Sequence, residues 1–349
     1  MKTTPPDPGL TALKQALKTG QPKRLYVFHG EETYLLHHYL GLLKKSLVEP
    51  AFEAFNFVSL EARGLTPEGL TEAVESLPAF APRKLVVVRD FDVFKPGEEF
   101  KEPLERLLAD LPETVCLVFY YLTVPCKPDA RTKLYTLVKK NGALVAFNLR
   151  QNADLIPWII RHFADSHKSI DRALCEYLLF RCGHSMTALN TEIEKVAAWA
   201  PEPHIEQRDI DAVVTPVLDA VVFDMTDALA AGDASRALSV LLTLREMKEE
   251  PIVLLAVLGK NLRGLYAAKL AHEAGQGSRA LMQLLGYHST STYPAEKLMQ
   301  ASRRRSMAWC RRAVELCAES DLTLKSGGGR GDRGRVIEWI IASLSANIL

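Results

Sequence analysis

At 349 residues the chain is too long for one ordinary core, and two or three domains are expected. Hydrophobic residues make up 48% and charged residues 24%, the balance of a soluble globular protein. The 43 basic and 42 acidic side chains cancel to a net charge of +1, which excludes the global positive field of a free-standing nucleic-acid binder and leaves only local patches.

Leu10 to Lys18 has helical spacing, and Arg24 to His29 (RLYVFH) is the first strand candidate. A helix is expected over Thr33 to Leu47, with Tyr34, Leu35, Tyr39, Leu42 and Leu43 on one broad face. Further strands are expected at Asn56 to Leu60, Lys84 to Arg89, Thr114 to Tyr120 and Ala143 to Phe147. Helical stretches (Pro67 to Glu75, Phe100 to Leu108, Ala130 to Lys140) lie between them. Five apolar runs alternating with helices predict an open, largely parallel α/β sheet.

Such sheets hold ligands beyond the carboxyl ends of their strands. The turn after the first strand reads His29-Gly30-Glu31-Glu32-Thr33 and fails as a phosphate loop. Counting from Gly30, the positions for Gly, Lys and Ser/Thr hold Leu35, Leu36 and His37. Glu31 and Glu32 put negative charge at a helix amino terminus, where it complements the dipole and repels phosphate. After Val88 comes Arg89-Asp90-Phe91-Asp92 in place of adjacent carboxylates for magnesium, so Asp90 and Asp92 read as solvated loop residues or caps.

Between the second and third strands lies Leu77-Pro78-Ala79-Phe80-Ala81-Pro82. The two prolines limit helix and ladder formation around a large aromatic at the rim of the sheet. Phe80 is either a cover for the core or an exposed plug for a partner's pocket, and spacing alone does not choose.

From about Arg150 the strand signal ends. Leu155 to His167, Ser169 to Cys182, Met186 to Ala200 and Glu206 to Val213 read as a small helical domain, with Glu192 and Glu194 facing outward. Beyond Val221 the pattern is helical throughout, in segments 223–231, 234–246, 252–274, 278–285, 295–305, 307–324 and 335–347. The stretch 329–334 (GRGDRG) matches a dinucleotide fingerprint but joins two helices, so it reads as a connection. Arginines crowd Ala301 to Arg312 (ASRRRSMAWCRR), more simply a solvated helix face than a phosphate contact.

No apolar run reaches the roughly 18 residues of a membrane span, and nothing in MKTTPPDPGL points to export. The six cysteines form no C-x-x-C pair, and Cys175, Cys182, Cys310 and Cys317 fall on apolar helical stripes. Reduced thiols in a cytoplasmic protein are expected. His184, His204 and the His37-His38 pair have no partner at ligand or relay spacing, so no catalytic, cofactor or metal site is expected.

Taken in order, LYVFHGEETYLL, ESLPAFAPRKLVVVRDF, CEYLLFRCGHSMTALNTEIEKVAAW, VFDMTDALAAGDASRALSVLL and ESDLTLKSGGGRGDRGRVIEWII resemble the delta-subunit family of the bacterial DNA polymerase III clamp loader over nearly the whole chain. The resemblance implies an AAA+-like α/β domain over 1–149, a small helical lid over 150–216 and a helical collar over 217–349. It implies no ATP hydrolysis by this chain, only membership of a DNA-directed DNA polymerase complex. The implied partners are the sliding clamp (beta subunit), the gamma/tau motor subunits and delta prime through the collar, and primed DNA through the assembled complex, with no membrane. The family's clamp-binding element falls on Ala79 and Phe80, with Leu77 and Pro78 beside them; its first apolar position, often larger, is Ala79 here. The alternatives are an active AAA+ ATPase and a DNA-binding adaptor acting through Ala301 to Arg312.

Overall fold

A computed structural model describes residues 7–286, 292–325 and 335–346; the 329–334 stretch lies outside them. The chain divides into two compact units, Lys2–Arg150 and Gln151–Leu349.

In the first unit, Asp7 caps α1 (Pro8–Thr19) by accepting from Leu10 N at 2.8 Å, with proline at the first turn and Gly20 in the left-handed region at the end. There follow β1 (Leu25–His29), α2 (Thr33–Leu47), a single turn α3 (Glu53–Asn56) and β2 (Phe57–Glu61). Next come α4 (Pro67–Glu75), β3 (Lys84–Arg89), α5 (Glu98–Ala109), β4 (Val115–Tyr120), α6 (Lys133–Asn141) and β5 (Gly142–Ala146). The strands form one sheet in the order β2-β3-β4-β1-β5, every pair parallel. The central strands are buried on both faces, which explains their unbroken apolar runs. Leu25, Val27, Val86, Val88, Leu117 and Phe119 face a core completed by Leu70, Leu104 and Leu134 from α4, α5 and α6. The alternate residues Tyr26, Phe28, Leu85, Val87 and Val118 pack with Leu10, Leu13, Leu36 and Leu43 from α1 and α2. The second strand is expected from Asn56, but Asn56 ends α3, whose last bond runs from Phe57 N to Glu53 O, and β2 starts at Phe57.

The second unit is helical: α7 (Asn152–Asp165), α8 (Arg172–Cys182), α9 (Met186–Trp199), α10 (Gln207–Val213), α11 (Leu218–Ala231), α12 (Ala234–Glu246), α13 (Pro251–Glu273), α14 (Ser278–Leu284), α15 (Tyr293–Ser302), α16 (Met307–Lys325) and α17 (Val336–Ser345). Two expectations are corrected here. Ser169 is not helical; it pairs with His204 in a short parallel bridge, its N–H donating to Pro203 O and its carbonyl accepting from Ile205 N, both at 2.8 Å. Glu192 does not face outward; it is buried, accepting from Thr215 N at 3.1 Å and pairing with Lys195 at 2.7 Å, which ties the segment after α10 to α9.

Against the expectation from apolar runs, α13 has the length and mean hydropathy (23 residues, 1.2) to cross a membrane. That composition has a plain source: Leu254, Leu255, Leu258, Leu262 and Leu265 of α13 lie in the largest core of the unit, with Leu241, Leu298, Leu316 and Ile340 from surrounding helices. Four cysteines sit as their stripes predict, Cys175, Cys182, Cys310 and Cys317 all buried.

Candidate functional site

The four residues singled out in the sequence lie on the loop from Ser76 to Arg83, at the amino end of β3. Phe80 is 86% exposed and Leu77 81%, while Pro78 and Ala79 are half-buried. Phe80 therefore does not cover the core. Its backbone is also unusual, with φ +54°, a left-handed conformation that is uncommon for a bulky residue.

Neighbouring residues hold the loop in that shape. The side-chain amide of Asn56, fully buried, faces the Ala79 peptide groups on both counts. Asn56 Nδ2 donates to Ala79 O and Asn56 Oδ1 accepts from Ala79 N, each at 2.8 Å. At the loop's base the Lys84 ammonium donates to Ser76 Oγ at 2.6 Å, and burial lowers the Lys84 pKa. The Arg83 guanidinium donates to Pro22 O at 2.6 Å and Val115 O at 2.8 Å, fixing the entry to β3. Phe52 stacks obliquely on Phe80, ring centres 5.2 Å apart, and Phe55 is exposed on the neighbouring turn. Sequence reasoning passed over Asn56 and Phe52. The available signal was a lone amide inside the aromatic run FEAFNF.

At the carboxyl ends of the strands, where such sheets hold ligands, the turn after β1 packs closely against the residue that follows β5. Gly30 has φ +126°, and a Cβ there would lie 2.2 Å from Phe147 O, so the turn is pressed against the end of β5. Glu32 N donates to Phe147 O at 2.9 Å, and Phe147 N to His29 O at 2.7 Å. Burial pushes the His29 pKa down. The Glu32 carboxyl is 3% exposed, accepts from Tyr34 N at 3.3 Å and leaves Oε2 without a hydrogen bond; burial raises its pKa, against the opposing pull of that bond and of Arg150.

Of the two readings for Asp90, at the carboxyl end of β3, the capping one holds. With φ +55° it accepts from Leu122 N (2.7 Å), Thr123 N (2.9 Å) and Val124 N (3.3 Å) through Oδ1, and from the Thr123 hydroxyl (2.9 Å) through Oδ2. Burial alone would raise its pKa, but these bonds outweigh it and hold the carboxyl below its usual range. Asp92 caps the following turn through Phe94 N and Lys95 N.

In the arginine-rich stretch, Arg304 pairs with Asp227, Arg305 donates to Leu229 O and Ala230 O and lies over Trp309, and Arg312 pairs with Glu319. Three of its cations thus serve intramolecular contacts. His184 Nε2 lies 2.6 Å from Asn152 Oδ1, a partner the sequence spacing did not reveal.

A sequence model described as "DNA polymerase III, delta subunit" matches residues 26–148, and one described as "DNA polymerase III delta subunit, C-terminal domain" matches residues 219–344. The chain belongs to the DNA polymerase III delta-subunit family. Among its relatives, the DNA polymerase III subunit delta of Bacillus subtilis (strain 168) is 23% identical over 339 residues, 95% of each chain. The probable subunit delta of Aquifex aeolicus (strain VF5) is 26% identical over 277 residues, 77% of each. The solved structure of the Bacillus subtilis DNA clamp loader delta protein superposes with a TM-score of 0.54 at 21% identity, covering 97% of this chain and 99% of that one. That likeness supports the AAA+-like fold expected from the resemblance: a five-stranded parallel sheet with helices, followed by a helical carboxyl-terminal part.

Proposed function

We propose that this chain is the clamp-binding subunit of a bacterial clamp loader. It binds the beta sliding clamp through Phe80 and Leu77, with Pro78 and Ala79 beside them, and helps open the clamp for loading on primed DNA. The observation that carries this reading is the exposed Phe80 ring, presented in a left-handed backbone conformation on a braced loop. An exposed aromatic on a rigid base suits insertion into a partner's apolar pocket. Burying Phe80 contributes about 1.5–3 kcal/mol, and Leu77 adds a comparable amount. Association entropy consumes much of that, so polar contacts around the loop complete the affinity.

Opening follows from differential affinity. If the loop binds an opened clamp better than a closed one, binding shifts the clamp toward opening by that difference and no more. ATP chemistry belongs on partner subunits in this reading; the turn after β1 lacks the glycine, lysine and hydroxyl positions of a phosphate loop and sets the buried Glu32 at a helix amino terminus, which supports it. The gamma/tau and delta prime subunits would join through 217–349, with 150–216 as a lid and 1–149 carrying the clamp contact, all acting in the cytoplasm.

The test is titration of the beta clamp with the wild-type chain and with Phe80→Ala, alongside titration of ATP. Clamp binding that falls sharply with Phe80→Ala, with no ATP turnover by the isolated chain, is expected. A Phe80→Ala chain that binds the clamp as tightly as wild type would refute the assignment.

A further inference from the structure

The exposure of Phe80 explains what could touch a partner, but not what keeps an uncommon backbone shape in place in an exposed loop. A bulky residue in the left-handed region relaxes unless its surroundings hold it there. Two contacts supply that restraint within one residue of the ring. The Asn56 amide satisfies both the N–H and the carbonyl of Ala79, the residue immediately before Phe80. Its orientation is unambiguous, since the donor faces a carbonyl and the acceptor faces an N–H. The Phe52 ring, on the short helical turn Pro50–Phe52, rests against one side of Phe80.

Asn56 is an expensive residue to place there. It is fully buried, with Phe55 and Phe57 as its neighbours in sequence, and a buried amide is tolerated only when its polar atoms are paired. Its pairing reaches 23 positions along the sequence, to a loop that already has its own closure through Lys84 and Ser76. The Lys84–Ser76 bond joins the ends of the loop, whereas the Asn56 bonds act on the peptide groups next to Phe80.

We infer that Asn56 is a positioning residue for partner binding: together with Phe52 it holds the Phe80 ring ready in its binding pose, so that docking does not have to order the loop. The inference rests on the proposed clamp-binding role of Phe80. Ordering one side chain and its loop on binding weakens affinity by up to about tenfold, which sets the scale of the effect.

The experiment is a double-mutant cycle on the full chain, read as affinity for the beta clamp, with urea unfolding and hydrogen exchange of the Ala79 amide measured on each variant. Asn56→Ser is expected to weaken clamp binding by about three- to tenfold and to speed exchange at Ala79. In a Phe80→Gly background, the effect of Asn56→Ser is expected to shrink to less than about twofold, because no side chain remains at that position to be aimed. A loss of the same size in both backgrounds would show that Asn56 supports the fold at large, and would overturn the inference. So would wild-type affinity in Asn56→Ser when Phe80→Ala has lost binding; the clamp-binding role of Phe80 would survive that outcome. If Phe80→Ala binds normally, the role itself falls and the inference with it. Should Asn56→Ser fail to fold, Phe52→Ala carries the decision, with a several-fold loss dependent on Phe80 supporting the inference and unchanged affinity ending it.

Discussion

Replacing Phe80 with glycine separates a residue that stabilises the fold from one that is displayed. With Phe80 86% exposed, only about a seventh of a side chain of roughly 200 Å² is covered, about 30 Å², and losing that contact costs about 0.7 kcal/mol. Glycine also loosens the unfolded chain, a further cost of about 0.5–1 kcal/mol. Against these stands relief of the left-handed conformation at φ +54°, about 1–2 kcal/mol for a residue with a Cβ. The sum lies within about 1 kcal/mol of zero, which in a unit of this size is a Tm change of no more than about 2–4 °C. A phenylalanine inside the core, such as Phe119, would instead cost about 3–5 kcal/mol on truncation. Over the same substitution, clamp affinity is expected to fall about 10- to 150-fold, the equivalent of burying one such ring. Thermal and urea unfolding give the first quantity and clamp titration the second. Destabilisation of 3 kcal/mol or more, with clamp binding unchanged, would refute the reasoning and return Phe80 to the role of a core cover.

Two further outcomes follow from the carboxyl ends of the strands. Asp90→Asn removes charge from an oxygen pair that collects four donors, and is expected to destabilise the chain by about 1–2 kcal/mol at neutral pH after allowing for solvent screening. Because the folded pKa of Asp90 is depressed, that stabilisation is present above the unfolded carboxyl value of about 3.9 and is lost as pH falls through the folded value, so the two proteins should converge in acid denaturation series. Glu32 has the opposite sign: its folded pKa is raised, so its ionised form penalises the fold, with no penalty below the unfolded value of about 4.3 and the full penalty above the folded one. Glu32→Gln is therefore expected to raise Tm at pH 8 and to confer no advantage near pH 4; a wild-type chain more stable than the variant at pH 8 would contradict this.

Much of the fold was legible because burial on both faces leaves a plain signature. Tyr26-Val27-Phe28 and Leu85-Val86-Val87-Val88 have no polar residue to interrupt them, and proline or threonine marks the start of α4 and α6. The missing nucleotide motif was equally readable, since it depends on residue types at fixed spacing. What was not readable depended on partners distant in sequence. Asn56 looks like a strand residue until its bonds to Ala79 are seen, and Glu192 looks solvent-facing until Thr215 N reaches it. Asp90 could be judged unfit for a metal, but not recognised as the tie for residues 122–124. The choice between cover and plug for Phe80 was of the same kind, because flanking prolines restrict the backbone without setting the direction of the ring.

The two ends of β3 are tied to different parts of the unit. At its amino end Lys84 and Arg83 anchor the loop that displays Phe80; at its carboxyl end Asp90 binds the segment after β4. Six residues separate them, about 20 Å of strand buried on both faces. At the carboxyl ends of the strands Gly30, Glu32 and Asp90 are committed to Phe147, Tyr34 and residues 122–124. At the other end, the Asn56 bonds hold the peptide groups next to Phe80 in one conformation. On the proposed clamp-binding reading, control over whether Phe80 meets a partner is expected to lie on other subunits that cover or uncover the loop. Phe80 in the isolated chain should then bind the clamp to the same extent with or without ATP, and a nucleotide dependence in that setting would contradict the placement of the switch on other subunits.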